Sequence, residues 1–185
     1  MLGIYIHIPF CGQKCPYCDF YSVPFTGDLA DSYATTLCRE IKSAAGIGRP
    51  ADTIYIGGGT PTIFGAGRIT RILTCIRENF SIAADAEITI EANPASCTMS
   101  DLYILREAGI NRISFGVQSL CDLELQALGR PHTADDALRT IEDARTVGFS
   151  NISADLMLAT PSQTFMGLKS SIDALAALPI SHISA

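Results

Sequence analysis

Apolar residues recur along the chain in six short runs, most of which alternate with polar residues and end at glycine, proline or charge. Runs of this length that are rich in isoleucine and valine are typical of β-strands with at least one buried face. The predicted strands are residues 3–8, 53–56, 87–91, 112–117, 151–157 and 181–185.

Each of the first five strands is followed by a stretch in which apolar residues return every three or four positions, which predicts an amphipathic helix. The third helix is predicted to open at Ser100 and to stop at Gly109. The fourth begins with Thr133 and Asp136, a capping-box pattern, and the fifth is halted by Pro179. The predicted buried stripes are Leu29, Tyr33, Leu37 and Ile41; Ile69, Ile72, Leu73, Ile76 and Phe80; Leu102, Leu105 and Ala108; Ala137, Leu138, Ile141 and Ala144; and Phe165, Leu168, Ile172, Leu175 and Leu178.

Strict alternation of strands and helices predicts an α/β fold with parallel strands, either a doubly wound sheet or a barrel. In both architectures ligands bind at the carboxyl ends of the strands. The chemically distinctive residues of this chain follow those ends: the Cys11 loop, the Gly57–Gly58–Gly59 turn, Glu91, Gln118 and Asp155. The sequence therefore predicts a ligand site at this end of the sheet.

Length and composition favour one folded domain over residues 1–185, with 48% hydrophobic and 17% charged residues. No apolar run approaches the roughly 18 residues of a membrane span, and no signal peptide is recognised, so a cytoplasmic protein is expected. The formal charge of −6 argues against a nucleic-acid partner. Because the chain stops within the sixth predicted strand, it is expected to be a truncated core domain.

Three of the seven cysteines, Cys11, Cys15 and Cys18, form a C-x3-C-x2-C motif within eight residues. Thiolates converging from one short loop are typical ligands of a 4Fe-4S cluster, and three ligands leave one iron open to a bidentate small molecule. A zinc site completed by a distant residue and three reduced structural thiols are the alternatives. The remaining cysteines are isolated and are interpreted as core-filling or incidental thiols.

Other residues at the strand ends have the chemistry to hold such a small molecule. The glycine turn lets backbone approach a ligand, and its exposed amide groups would suit the ammonium and carboxylate of an amino acid. Glu91 could accept hydrogen bonds from ribose hydroxyls or an ammonium group, and Arg130 could pair with a carboxylate. Solvated surface side chains are the alternative for Glu91, Gln118, Asp155 and Arg130, and His7 is interpreted as either a core or a catalytic histidine.

With these motifs in place, the chain resembles the oxygen-independent coproporphyrinogen III oxidase family of radical-SAM proteins. The resemblance rests on YIHIPFCGQKCPYCDF, IGGGTPT, IEANP, SFGVQS, LGRPHT and ADLMLATP, which occur in order over almost the whole chain. It implies a partial (β/α)6 TIM-like barrel and a cluster whose free iron binds S-adenosylmethionine. An electron from a donor would then release methionine and a 5′-deoxyadenosyl radical.

The resemblance also implies roles for individual residues. Cys11, Cys15 and Cys18 would ligate the cluster, with Tyr5 beside it. The residues implied to bind S-adenosylmethionine are Gly58, Gly59, Thr60 and Glu91, and those matching a second adenosylmethionine site are Tyr17, Gln118, Arg130, Asp155 and Ala185.

The sequence departs from the true oxidases at two places. They have a fourth cysteine two residues after the third, where this chain has Phe20, and they have an N-terminal extension. Both departures resemble the haem chaperone subgroup, which binds haem and delivers it to client haem proteins. A haem chaperone is therefore expected, with the decarboxylating oxidase acting on a porphyrinogen as the second hypothesis and a simple iron–sulfur or zinc module as the third.

Overall fold

The computed structural model describes residues 2–185 and contains eight strands, of which six form one sheet. In chain order the strands are β1 (Leu2–Ile8), β2 (Phe10–Cys11), β3 (Val23–Pro24), β4 (Ala51–Gly58), β5 (Ile82–Ala92), β6 (Arg112–Gln118), β7 (Asn151–Leu156) and β8 (His182–Ser184). All six predicted strands are confirmed, and β4 and β5 extend beyond their predicted bounds. The short β2 and β3 pair with each other.

The large sheet has the order β1-β4-β5-β6-β7-β8, and every neighbouring pair is parallel. A doubly wound sheet reverses its strand order at a switch point, whereas a barrel wall adds each new strand to the same edge. The sequential order is therefore that of a barrel wall, which confirms the predicted partial (β/α)6 barrel.

In residues 2–185, six α-helices connect the strands: α1 (Gly27–Ser43), α2 (Ala66–Asn79), α3 (Met99–Glu107), α4 (Asp122–Ala127), α5 (Ala134–Thr146) and α6 (Phe165–Ala176). The short α4, between β6 and α5, was not predicted. None of the helices in residues 2–185 combines the length and hydropathy needed to cross a membrane.

The caps explain where two of these helices begin. In α5 the predicted capping box is confirmed, because Thr133 and Asp136 bond each other's backbone N–H groups. In α3 the prediction was wrong: Thr98, not Ser100, is the N-cap, and it forms a capping box with Asp101. A side chain can accept the free N–H groups of a first turn only from the position that precedes it.

Alternation along the strands gives the sheet one apolar and one polar face. Six isoleucines of β1, β4 and β5 are buried in the core that packs under the helices: Ile6, Ile8, Ile54, Ile56, Ile88 and Ile90. The residues between them meet on the other face, where Tyr55 bonds Glu91, Arg112 bonds Thr89 and Ser114 bonds Asp155. The inside of the barrel wall is therefore polar.

The stripes of α2, α3 and α5 agree closely with the buried residues, whereas those of α1 and α6 were right only in part. In α1 the buried residues are Ala30, Ala34, Cys38 and Ile41, while Leu29 is exposed. Tyr33 and Leu37 are partly buried against the core, while small side chains take the innermost positions, and Cys75 Sγ of α2 lies 3.4 Å from the Cys38 carbonyl.

In α6 only Ser171 and Leu175 are buried, while Phe165 is 79% exposed and Ile172 is 39% exposed. Ser171 is inside because its Oγ accepts the backbone N–H of Leu120 at 3.3 Å. Periodicity predicts that the large apolar residues of this helix are buried, and it cannot predict a buried serine that accepts a backbone hydrogen bond.

Candidate functional site

A pocket opens at the carboxyl ends of the barrel strands, where the sequence predicted a ligand site. Its wall combines residues from the cysteine loop and from the ends of four strands. The lining residues are Tyr17, Cys18, Phe20, Gly58, Gly59, Thr60, Pro61, Glu91, Ala92, Asn93, Ser114, Gly116, Gln118, Arg130 and Asp155. Eight of the ten residues predicted to bind cofactor lie in this wall.

The cysteine loop joins β2 to β3 and carries three free thiols. A turn closes the loop, because the Cys18 N–H donates to the Cys15 carbonyl at 3.0 Å. Thr60 Oγ1 lies 3.7 Å from Cys11 Sγ, and Cys15 Sγ lies 3.9 Å from the Gly129 carbonyl. Cys18 lines the pocket itself. Cys18 therefore lies in the pocket wall, and Cys11 and Cys15 contact the wall residues Thr60 and Arg130.

The donor set fits an iron–sulfur cluster in its chemistry, although the thiols are spread along the loop. Within residues 2–185 no three His, Cys, Asp or Glu side chains stand together in a geometry that could hold a metal ion. Three unpaired cysteines on one loop beside a polar pocket nevertheless supply the thiolates that a cubane requires. Drawing them onto one face would need the loop to tighten, as is common when a metal site forms on binding.

The glycine turn after β4 is packed against the cysteine loop. A Cβ on Gly59 would lie 2.5 Å from the Phe10 carbonyl oxygen, and one on Gly58, whose φ is +118°, would lie 2.7 Å from the His7 ring. The turn's N–H groups are already used: Gly59 donates to Ile8 and Thr60 to Phe10. The expectation that these N–H groups are exposed for an amino-acid ligand was therefore wrong, and glycine is needed here for close packing.

Glu91 holds the glycine turn in place from the neighbouring strand. Its Oε2 accepts the Gly58 N–H at 3.1 Å, and its Oε1 accepts the Tyr55 hydroxyl at 2.6 Å. Burial, followed by the bond to Glu91, raises the pKa of Tyr55. Glu91 is thus an oriented carboxylate in the pocket wall, with its side chain fixed by two donors.

Asp155 and Gln118 close the opposite side of the pocket. Asp155 accepts a hydrogen bond from Ser114 Oγ at 3.1 Å, and burial raises the pKa of the Asp155 carboxyl. Gln118 ends β6 with φ +67°, a left-handed conformation that is uncommon for a residue with a side chain. Its carbonyl accepts the Met157 N–H at 2.9 Å, which ties this turn to the end of β7.

Arg130 connects the far wall to the cysteine loop. Its Nη2 donates to the Gly116 carbonyl at 2.7 Å, and its Nη1 lies 3.3 Å from Tyr17 Oη and 3.7 Å from Cys15 Sγ. Burial raises the pKa of Tyr17, and the Arg130 charge opposes that shift. The guanidinium is therefore engaged by protein groups on both sides of the pocket mouth.

Two of the predicted site residues lie away from this wall. Tyr5 is 58% exposed on β1, stacks on Tyr55 and bonds His7 Nδ1 at 3.0 Å. Ala185 follows β8 as an exposed residue outside the pocket lining. His7 has both ring nitrogens engaged, since Nε2 contacts the Tyr21 carbonyl at 3.1 Å, and this favours its structural interpretation.

Sequence reasoning missed Tyr55 and Ser114. Tyr55 stands between Ile54 and Ile56, and Ser114 between Ile113 and Phe115, so strand alternation already places both on the polar face. Alternation therefore predicts the face of both side chains, whereas the more distinctive chemistry of the sequence lies in the residues after each strand.

The sequence model of the Radical SAM superfamily matches residues 5–175, so the chain belongs to this family. Membership implies a 4Fe-4S cluster and S-adenosylmethionine. It also agrees with the barrel wall and the three-cysteine loop.

Within this superfamily, the chain is similar to proteins named for haem and porphyrin metabolism. The heme chaperone HemW of Bacillus subtilis is 41% identical over 187 residues, covering 100% of this chain and 49% of the relative. HemW of Escherichia coli is 41% identical over 166 residues, covering 88% and 44%. Among solved structures, coproporphyrinogen III oxidase (HemN) from Escherichia coli, a radical SAM enzyme, superposes with a TM-score of 0.88 at 32% identity.

The HemN superposition covers 98% of this chain and 43% of that protein. The chain therefore spans about half the length of the relatives it matches.

Proposed function

We propose that Cys11, Cys15 and Cys18 ligate a 4Fe-4S cluster at the mouth of this pocket and that the pocket binds S-adenosylmethionine. The observation that supports this most strongly is the pocket wall, which joins Cys18 to the glycine turn, Glu91 and the far carboxylate Asp155. When bound, such a cluster supplies one electron to the sulfonium of the ligand. Residues 1–185 would then act as the radical-SAM core of a longer protein.

The residues of this pocket would have different roles in binding the ligand. Glu91 offers an oriented carboxylate for hydroxyl or ammonium groups, and Tyr55 and Gly58 keep that carboxylate in place. Gly59 brings Thr60 and the Cys11 loop together. Tyr17, Gln118, Arg130 and Asp155 form the opposite wall, where the family resemblance suggests room for a second adenosylmethionine.

For the whole protein we propose a haem chaperone, which would bind haem, take electrons from a reductant and pass haem to client proteins in the cytoplasm. Two curated relatives that cover 88% or more of the chain are heme chaperones at 41% identity. Phe20 supports the same choice, because it lines the pocket at the position where the resemblance to the oxidases calls for a fourth cysteine.

Coproporphyrinogen III oxidation is the second candidate, and the HemN superposition is the observation that favours it. That reaction removes propionate carboxyl groups and needs a substrate held against the radical. Family membership argues against the third hypothesis, a module that binds only zinc or a simple cluster.

Haem transfer and decarboxylation distinguish the two candidates. The natural full-length protein should form a stable haem complex and pass haem to an apo-acceptor. It should also leave coproporphyrinogen III unchanged in anaerobic, reducing buffer with S-adenosylmethionine. Vinyl product formed well above the level of a Cys15→Ala control would promote the oxidase and reject the chaperone.

A further inference from the structure

Among the described residues that line the pocket, Arg130 is the one cation, and its guanidinium lies 3.7 Å from a cysteine sulfur. Nη1 lies between Cys15 Sγ and Tyr17 Oη, while Nη2 is anchored to the Gly116 carbonyl of β6. The backbone is fixed as well, because the Arg130 N–H donates to the Leu125 carbonyl at 2.9 Å. The side chain is therefore held in place from the strand side and aimed at the cysteine loop.

The turn that carries Arg130 is docked on that loop through a second contact. Gly129 has φ +66°, and a Cβ there would come within 2.9 Å of Pro16 Cδ. The carbonyl of Gly129 is also the polar neighbour of Cys15 Sγ. The backbone of Gly129 and the side chain of Arg130 thus both contact Cys15. The contact is therefore part of the packing between this turn and the cysteine loop.

The three thiols differ in their surroundings. Cys11 Sγ has a neutral partner, the Thr60 hydroxyl, whereas Cys15 Sγ faces a guanidinium. The pocket wall also holds two carboxylates, Glu91 and Asp155. The positive charge is therefore placed next to one cysteine and opposes the negative charge of the rest of the wall.

We propose that Arg130 is a positioning residue that hydrogen-bonds the Cys15 sulfur and raises the reduction potential of the cluster. This inference rests on the proposed cluster at the three cysteines. The step concerned is the gain of one electron by the cluster, with no bond made or broken. N–H donors and a cation beside a ligating sulfur stabilise the more negative, reduced state, so they favour reduction.

This role differs from the one that the family resemblance suggests, in which Arg130 holds a second S-adenosylmethionine. In this structure the guanidinium bonds protein groups on both sides, and its Nη1 is directed at Tyr17 and Cys15. The two roles can be distinguished, because replacing Arg130 should change the reduction potential of the cluster in one case and the number of bound S-adenosylmethionine molecules in the other.

The test is a redox titration of anaerobically reconstituted full-length protein, with sodium dithionite as the electron source and electron paramagnetic resonance as the readout. At the wild-type midpoint, Arg130→Met should lower the ratio of reduced to oxidised cluster about tenfold, equivalent to about 59 mV for one electron. Arg130→Lys keeps the charge but loses the planar guanidinium, so its ratio of reduced to oxidised cluster should lie between those of the wild type and Arg130→Met.

Arg112→Met is the matched control. Arg112 begins β6, four residues before Gly116 and so about 13 Å along the strand. The Arg112→Met variant should change this ratio less than about twofold, although it removes an equal charge from the polar face of the barrel wall. If Arg130→Met takes up no cluster, Arg130→Lys and Arg130→Gln carry the same comparison, since glutamine retains an N–H donor.

Three results would overturn the inference. The first is an Arg130→Met variant whose cluster has the same midpoint potential as the wild type but which binds one S-adenosylmethionine per chain where the wild type binds two. That result would assign Arg130 to the second ligand. The second is a wild-type chain that binds no iron, which would reject the proposed cluster and this role with it. If the wild type holds its cluster and the Arg130→Met variant has the wild-type midpoint potential, the role of Arg130 is rejected while the proposed cluster stands.

Discussion

At the scale of single residues, the pocket is built by pairs that cross from one element to another. Glu91 on β5 bonds Tyr55 on β4, and Ser114 on β6 bonds Asp155 on β7. The sequence predicted Glu91 and Asp155 because acidic residues at strand ends are conspicuous. It did not predict their partners, because alternation places Tyr55 and Ser114 on the polar face but does not pair either with a carboxylate on the neighbouring strand.

Glu91→Ala should weaken S-adenosylmethionine binding by about 1–3 kcal/mol, the effect of removing one hydrogen-bonding partner from a buried polar contact. Isothermal titration calorimetry of the reconstituted protein under anaerobic conditions measures this change.

Glu87→Ala is the control for that experiment, because Glu87 lies four residues earlier on the same strand and bonds only the neighbouring Thr89 in the described chain. It should leave the affinity unchanged. Equal affinity for wild type and Glu91→Ala would remove Glu91 from the site.

At the scale of elements, alternation and periodicity were sufficient to predict six strands and five helices, and strand order followed from the βα repeats. The innermost positions of α1 and α6 could not all be predicted in this way. Their inward faces are decided by close packing of Ala30 and Ala34 and by the hydrogen bond to Ser171, and both depend on neighbours that are remote in sequence.

The start of α3 provides a direct stability test of one correction. Thr98 Oγ1 accepts the Asp101 N–H at 3.2 Å, and Asp101 Oδ2 accepts the Thr98 N–H at 2.9 Å. Thr98→Ala should lower the free energy of unfolding by about 1 kcal/mol, as is typical for loss of an N-cap. Ser100→Ala should change it little, because Ser100 is an exposed first-turn residue. Urea denaturation of both variants measures the difference, and a larger loss in Ser100→Ala would restore Ser100 as the cap.

At the scale of the whole molecule, a curved polar wall carries its reactive groups on the loops at one edge. The barrel and its membership of the radical-SAM family were predicted from motifs that lie after each strand. The docking of the 128–132 turn onto the cysteine loop was not, because Cys15 and Gly129 are separated by 114 residues. Long-range contacts of this kind depend on the curvature of the wall and leave no local signal in the sequence.

The central claim is that three cysteines of one loop hold the cluster, and anaerobic reconstitution followed by iron and sulfide analysis tests it most directly. The wild-type chain should hold about four irons and four sulfides, and Cys11→Ala, Cys15→Ala and Cys18→Ala should each lose them. Cys38→Ala and Cys97→Ala should retain the full content, because those thiols lie in the core and in a separate loop. Full iron content in Cys15→Ala, or its loss in Cys38→Ala or Cys97→Ala, would contradict this assignment of the cluster ligands.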